Sequence, residues 1–113
     1  MKVIIAGGRD ITDYNLVFKA YIASGYTATE IVSGGARGVD TLGEQLAKST
    51  SIALKVFPAD WDRHGKRAGH IRNAQMADYA DALIAIWDGV SKGTGNMIQQ
   101  AQRKKLQVFV YKV

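Results

Sequence analysis

Short runs of apolar, β-branched and aromatic residues recur along the chain, with room for a helix between each pair. The runs are Lys2–Ala6, Glu30–Ser33, Ala53–Phe57, Ala82–Trp87 and Gln107–Tyr111. Runs of this kind predict strands. Segments with helical length and period separate them, at about residues 13–24, 38–50, 66–80 and 94–104. This alternation predicts a parallel sheet that is covered by helices on both faces.

The first and fourth predicted strands are almost wholly apolar, as expected of strands that are buried on both faces. Right-handed crossovers with a switch between these two strands predict the strand order 3-2-1-4-5. We therefore predict an α/β, Rossmann-like three-layer sandwich with a five-stranded parallel sheet. With 113 residues, the chain is expected to form one domain, residues 1–113, without a separate catalytic lid.

Three of the predicted strands lead into glycine-bearing turns, each followed by a predicted helix. The turns are Gly7–Arg9, Ser33–Asp40 and Ser91–Gly95. Such a turn leaves backbone N–H groups and the positive end of the helix dipole directed at one point, which suits phosphate. In the predicted strand order the three turns meet at the carboxyl edge of the sheet, where ligands of such folds bind. The pattern predicts a site for a phosphorylated ligand such as a nucleotide.

The first and third turns each have two interpretations. Gly7 and Gly8 either form only a tight turn, or they let a ligand approach the backbone while Arg9 binds its phosphate. In the first case a nearby Asp or Thr caps the following helix. Gly93 and Thr94 likewise either belong to an ordinary helix cap or donate hydrogen bonds to phosphate.

The second turn has the composition of a phosphate cradle, because it combines glycines, a hydroxyl group and an arginine at a strand-to-helix junction. Its candidate ligand-binding residues are Ser33, Gly34, Gly35, Arg37, Gly38 and Asp40. It lacks the Gly-Lys-Ser/Thr ending of the P-loop and the strict G-x-G-x-x-G of dinucleotide binders. Asp40 is either part of the site or simply a carboxylate stabilised by the helix dipole.

The predicted third helix begins with cations, which the helix dipole disfavours at that end. Lys66, Arg67 and His70 either are neutralised by upstream aspartates or face an anionic ligand. Arg72 and Asn73 follow them at the flank of the apolar stripe, where they are candidates to bind the rest of the ligand. Trp61, in a predicted loop between two aspartates, either stacks on a base or packs on its own helix.

Composition narrows the function classes only modestly. The chain has no cysteine, which excludes disulfides and thiolate chemistry, and its two histidines lack metal-ligand spacing. We therefore predict no metal and no cofactor. No apolar run is long enough to span a bilayer, so we expect a cytoplasmic protein with no membrane partner. The net charge of +5 favours an anionic partner without separating a mononucleotide from nucleic acid.

The motifs resemble those of the SLOG superfamily, a Rossmann-like group. Ser33–Asp40 is similar to the S-G-x-A-x-G-[IV]-D signature of the DNA-processing protein DprA/Smf. Arg72–Met76, Ala80–Ile86 and Gly93–Thr94 resemble the corresponding run of the "lonely guy" phosphoribohydrolases. With Trp61 and the glycines before Arg72, the whole pattern most resembles the small YspA-like branch of the superfamily.

The resemblance implies three candidate functions. The first is the binding of a nucleotide or nucleotide-derived ligand, as a sensor or carrier. The second is phosphoribohydrolase cleavage of an N-glycosidic bond, for which the family pairs the arginine matching Arg72 with a glutamate. Asn96 stands at that glutamate position and cannot act as a general base, so Asp88 or Asp40 would have to supply the carboxylate.

The third candidate function is single-stranded nucleic-acid binding, like that of DprA. Its candidate residues are two basic groups, Lys66 and Arg67 in one and Arg103, Lys104 and Lys105 in the other, with Trp61, Tyr14 and Tyr26 for stacking. The resemblance also implies a homodimer.

Overall fold

The structure is a computed structural model that describes residues 1–113. Its strands are β1 (Lys2–Gly7), β2 (Glu30–Ser33), β3 (Ala53–Val56), β4 (Ala82–Trp87) and β5 (Gln107–Lys112). Its helices are α1 (Tyr14–Ser24), α2 (Val39–Thr50), α3 (Trp61–His64), α4 (Ala68–Tyr79) and α5 (Lys92–Arg103), with a 3₁₀ turn at Gly65–Arg67.

The five strands form one parallel sheet in the order β3-β2-β1-β4-β5. The predicted Rossmann-like α/β fold and its strand order are therefore confirmed. β1 lies at the centre, and its last residue, Gly7, pairs with Ile86 of β4. The carboxyl ends of β1 and β4 thus lie side by side, at the point where the chain reverses its direction across the sheet.

Alternation along the central strands divides the core into two layers. Val3 and Ile5 of β1 belong to the cluster that contains the buried faces of α1 and α2. Ile4 and Ala6 belong to the opposite cluster, with residues of α4 and α5. Because β1 and β4 are buried on both faces, they carry no polar alternation, which is the reason their sequences are continuously apolar.

The segment before α4 differs from the prediction. A single helix was expected over residues 66–80, but α4 begins at Ala68 and follows α3 and the 3₁₀ turn. Asp60 ends the preceding loop and caps α3, since its carboxylate accepts a hydrogen bond from the Arg63 N–H at 3.1 Å. Trp61 is therefore the first residue of a short helix and not part of a loop. Lys66 and Arg67 lie in the 3₁₀ turn, outside the first turn of α4.

Candidate functional site

A cavity of about 520 Å³ opens at the carboxyl edge of the sheet, beside the ends of β1 and β4. Most of the predicted site residues line it. They are Gly7, Gly8, Arg9, Arg37, Asp40, Trp61, Arg72, Asn73, Asp88, Gly93 and Thr94. The first and third glycine turns and parts of the second and of α4 are thus brought together, as the strand order predicts.

A second cavity, of about 470 Å³, adjoins the first. Gly34 and Gly35 of the second turn line it, together with Pro58 and Ala59 from the segment after β3. Five residues belong to both cavities: Arg9, Ala36, Arg37, Trp61 and Arg72. The sequence interpretation missed Pro58 and Ala59, although their position directly after a strand end was a signal that they lie at this edge.

Arg72 is the buried cation of the site. It projects from α4, is 9% exposed, and donates hydrogen bonds to the Gly34 carbonyl oxygen and, from Nε, to Asn73 Oδ1 at 3.0 Å. No carboxylate oxygen lies within 4.0 Å of its guanidinium, since the ion pairs of the chain involve other residues. Burial lowers the pKa of Arg72, but an arginine remains protonated in proteins. The result is a buried positive charge without a paired anion.

Asp40, in the first turn of α2, is the buried acid of the site and is 6% exposed. Burial raises the pKa of its carboxyl group to about 6, even though the Ala36 N–H donates to Oδ2 at 3.2 Å and Arg72 opposes the shift. Glu44, one turn along α2, adds to the rise. Asp40 therefore takes up and releases a proton close to neutral pH.

Gly34 allows Arg72 and Asp40 to approach each other. A Cβ atom at this position would lie 2.5 Å from Arg72 Nη1 and 2.7 Å from Asp40 Oδ2. Real Cβ atoms do not make such contacts, so any larger residue would displace both charged groups. Glycine is required here because the space between the two side chains is too small for a Cβ atom. Backbone conformation is not the reason, since the φ of Gly34 is not in the left-handed region.

The N-termini of α2 and α5 lie at this edge without a side-chain cap. Gly38 and Ser91 precede α2 and α5, and neither provides a side-chain cap, whereas Asp13 caps α1 through the Asn15 N–H. An ordinary helix cap was one of the two interpretations of this turn, but no side chain caps α5, and the hydroxyl groups of Ser91 and Thr94 lie 3.3 Å from each other. The backbone N–H groups of Gly93 and Thr94 have no acceptor within the chain. They remain free to bind an anion.

Two predicted ligand-binding residues lie outside both cavities and hold the turns in place. The Ser33 hydroxyl is fully buried, donates to Glu44 Oε2 at 2.8 Å and accepts from the Gly35 N–H at 3.1 Å. Gly38 packs on the first turn so closely that a Cβ atom would lie 2.6 Å from Arg9 Cα. The following Val39 N–H donates to the Gly8 carbonyl oxygen at 3.2 Å.

Asn96 and Asp88, the residues discussed for the missing family glutamate, are both engaged locally. Asn96 Oδ1 accepts a hydrogen bond from Asn73 Nδ2 at 3.1 Å, and Asn73 is itself buried between α4 and α5. Asp88 Oδ1 accepts from the Val90 and Ser91 N–H groups, both at 2.8 Å. These hydrogen bonds lower the pKa of Asp88, which is exposed and stays ionised at neutral pH.

The rim of the site is cationic and aromatic. Arg9 is exposed, and Arg37 pairs with Asp10 at 3.3 Å on the surface. Trp61 is 51% exposed, and its ring lies close to Gly69, where a Cβ atom would be 3.7 Å from Trp61 Cη2 and 3.9 Å from Arg72 Nη2. An indole ring and a guanidinium thus flank one position of α4.

The second basic group, Arg103–Lys105, does not reach this site. It lies at the C-terminal end of α5, next to the start of β5, where Gln107 pairs with Ala82. That is the amino edge of the sheet, opposite to the cavities. No helix is long and apolar enough to cross a membrane, and no group of three potential ligand side chains is arranged to hold a metal ion.

Comparisons with known proteins agree with this architecture. Residues 1–64 match the family described as "YspA, cpYpsA-related SLOG family". The "Gene 61 protein" of Mycobacterium phage D29 is 31% identical over 117 residues, covering 96% of this chain and 94% of the phage protein.

The chain also matches solved structures. DNA processing protein A (DprA) from Streptococcus pneumoniae has a TM-score of 0.78 at 20% identity, and the match covers 96% of this chain and 49% of that one. The chain therefore spans about half the length of DprA. A predicted subunit of tRNA methyltransferase from Methanocaldococcus jannaschii has a TM-score of 0.49 at 14% identity, covering 97% of this chain and 67% of that one.

Proposed function

The chain belongs to the YspA, cpYpsA-related SLOG family, and we propose that it binds a nucleotide or nucleotide-derived phosphorylated ligand at the carboxyl edge of its sheet. The observation that carries the proposal is the buried guanidinium of Arg72, which has no carboxylate within 4.0 Å and lines the cavity. A buried charge is costly unless it is paired. A bound phosphate would supply the missing partner.

The surroundings of Arg72 support a phosphate in particular. Free N–H groups at the start of α5 line the same cavity, and a helix N-terminus favours an anion. Arg9 adds a second unpaired guanidinium at the rim. The cavity volume of about 520 Å³ lies within the range of about 300–1,000 Å³ that is usual for small-molecule sites.

Calorimetric titration with AMP, ADP and ADP-ribose tests this function. We expect binding by the wild type and a loss of at least about tenfold in affinity for Arg72→Gln, because a charge-assisted hydrogen-bond pair contributes about 1.5–3 kcal/mol. Arg103→Ala, at the opposite edge of the sheet, is the matched control and should bind like the wild type. Absence of wild-type binding, or equal affinities for Arg72→Gln and wild type, would contradict the proposal.

A second candidate is hydrolysis of the N-glycosidic bond of a nucleoside monophosphate, and Asp40 is the observation that favours it. Water would add to the sugar carbon while the departing base takes up a proton, and a buried carboxyl group with a pKa of about 6 suits that proton transfer. Asp88 suits it less, because its pKa is lowered. Release of adenine from AMP by the wild type but not by Asp40→Asn would support hydrolysis; no release by the wild type would exclude it for AMP.

A further inference from the structure

The two adjoining cavities are of similar size and meet at the same side chains. The first has a volume of about 520 Å³ and the second about 470 Å³. Each is large enough for one nucleoside-sized group. Arg9, Arg37, Arg72, Trp61 and Ala36 line both, so these residues form the junction between the cavities.

The junction carries more positive than negative charge. Of its three guanidiniums, that of Arg37 is paired with Asp10, whereas Arg9 and Arg72 have no carboxylate within 4.0 Å. Asp40 lines only the first cavity, so its carboxyl group is not part of the junction. Two unpaired cations at the boundary of two cavities match a group that bears two negative charges and has an organic substituent at each end.

We propose, on the basis of the phosphate site described above, that the ligand is a pyrophosphate-bridged molecule that places one organic group in each cavity. The two phosphates lie at the junction, between the guanidiniums of Arg72 and Arg9 and the free N–H groups at the start of α5. One organic group occupies the rest of the first cavity, and the other lies between Gly35 and Ala59 in the second cavity. Trp61, half-exposed and lining both cavities, offers an aromatic face to a base or sugar at the junction.

Single substitutions can close each cavity separately. Ala59 is half-buried and lines only the second cavity, so Ala59→Tyr would fill that cavity. Gly93 lines only the first cavity, and a Cβ atom there would meet nothing within 4 Å, so Gly93→Leu would enter open space. Neither Ala59 nor Gly93 has a positive φ, so the backbone conformation would not strain the replacement side chains.

The test compares AMP with ADP-ribose by calorimetry on wild type, Ala59→Tyr and Gly93→Leu, with melting curves to establish that the variants are folded. We expect ADP-ribose to bind the wild type more tightly than AMP does. Ala59→Tyr should weaken ADP-ribose at least about tenfold and change AMP by less than about twofold, whereas Gly93→Leu should weaken both.

The proposal is overturned if AMP and ADP-ribose bind the wild type equally, or if Ala59→Tyr affects neither ligand or both equally. Those results still leave AMP bound in an Arg72-dependent manner, so the phosphate site itself would stand. If instead no nucleotide binds the wild type, the proposed function fails first, and this proposal fails with it. Should Ala59→Tyr be unfolded, Ala59→Leu provides the same comparison with a smaller side chain.

Discussion

At the scale of single residues, the site holds a carboxyl group and a guanidinium on either side of one glycine. Asp40 and Arg72 are both buried, yet they are not within ion-pair distance, and Gly34 lies between them. Such an arrangement stores unfavourable energy in the free protein, because each charge is desolvated without full compensation. A ligand that pairs with Arg72 would relieve part of it.

Replacing Asp40 should reveal this cost as a pH-dependent gain in stability. The pKa of Asp40 rises from 3.8 to about 6 on folding, so the folded state binds the proton more tightly than the unfolded state does. The stability contributed by this group is therefore greatest at low pH and is lost as pH rises from about 4 to about 6. Asp40→Asn cannot ionise, so it does not lose stability as pH rises, and its amide oxygen can still accept a hydrogen bond from the Ala36 N–H.

We expect Asp40→Asn to exceed the wild type in free energy of unfolding by on the order of 3 kcal/mol at pH 7.5, and by about 1 kcal/mol at pH 4.5. Urea denaturation at the two pH values measures the difference. A difference that is the same at both pH values, or one that grows at low pH, would show that the Asp40 carboxyl group is not strained in this way.

Residue roles were only partly predictable from the sequence. Residues directly after the strands were predicted to line the cavity, because the carboxyl ends of parallel strands lie at the same edge of the sheet. It could not separate Ser33, whose hydroxyl is used by Glu44 and Gly35, from residues that face the cavity. Nor could it show that Asp88 is held by two backbone N–H groups while Asp40 is buried. Those differences depend on contacts between distant parts of the chain.

At the scale of elements, the second glycine turn is fixed by its packing on the first. Gly38 has φ 78° and ψ −129°, and its Cα faces the backbone of Gly8 and Arg9. This contact positions the start of α2, and with it Asp40, at the cavity. Strand order was predictable because the two wholly apolar strands indicated the centre of the sheet and right-handed crossovers constrain the rest. The helix α3 was missed because a single four-residue helix has no periodicity to detect.

The stability cost of losing the close packing at Gly38 can be measured apart from the cost of straining its backbone conformation. Gly65 adopts a similar conformation, with φ 56° and ψ −133°, but a Cβ atom there meets nothing within 4 Å. Gly65→Ala should cost about 1–3 kcal/mol of conformational strain. Gly38→Ala should cost at least about 2 kcal/mol more, because the methyl group also displaces the first turn. Denaturation of both variants measures the difference, and equal losses would show that the contact between the turns is not important.

At the scale of the whole molecule, the two edges of the sheet differ in what they offer an anion. The carboxyl edge combines cavities, unpaired arginines and free backbone N–H groups. The amino edge has the exposed group Arg103–Lys105, where Lys104 is already paired with Asp78 at 2.7 Å. A strand of nucleic acid that used both basic groups would have to cross the molecule along α5, a helix of 12 residues and about 18 Å.

An NMR titration that follows the backbone and arginine N–H signals on addition of ADP tests the central claim most directly, because it locates the anion by residue. If the account is correct, the largest shifts fall on Gly93, Thr94 and the Arg72 Nε–H, with little change at Arg103, Lys104 and Lys105. Shifts confined to the amino edge, or no shifts at any ADP concentration, would contradict the assignment of the phosphate site.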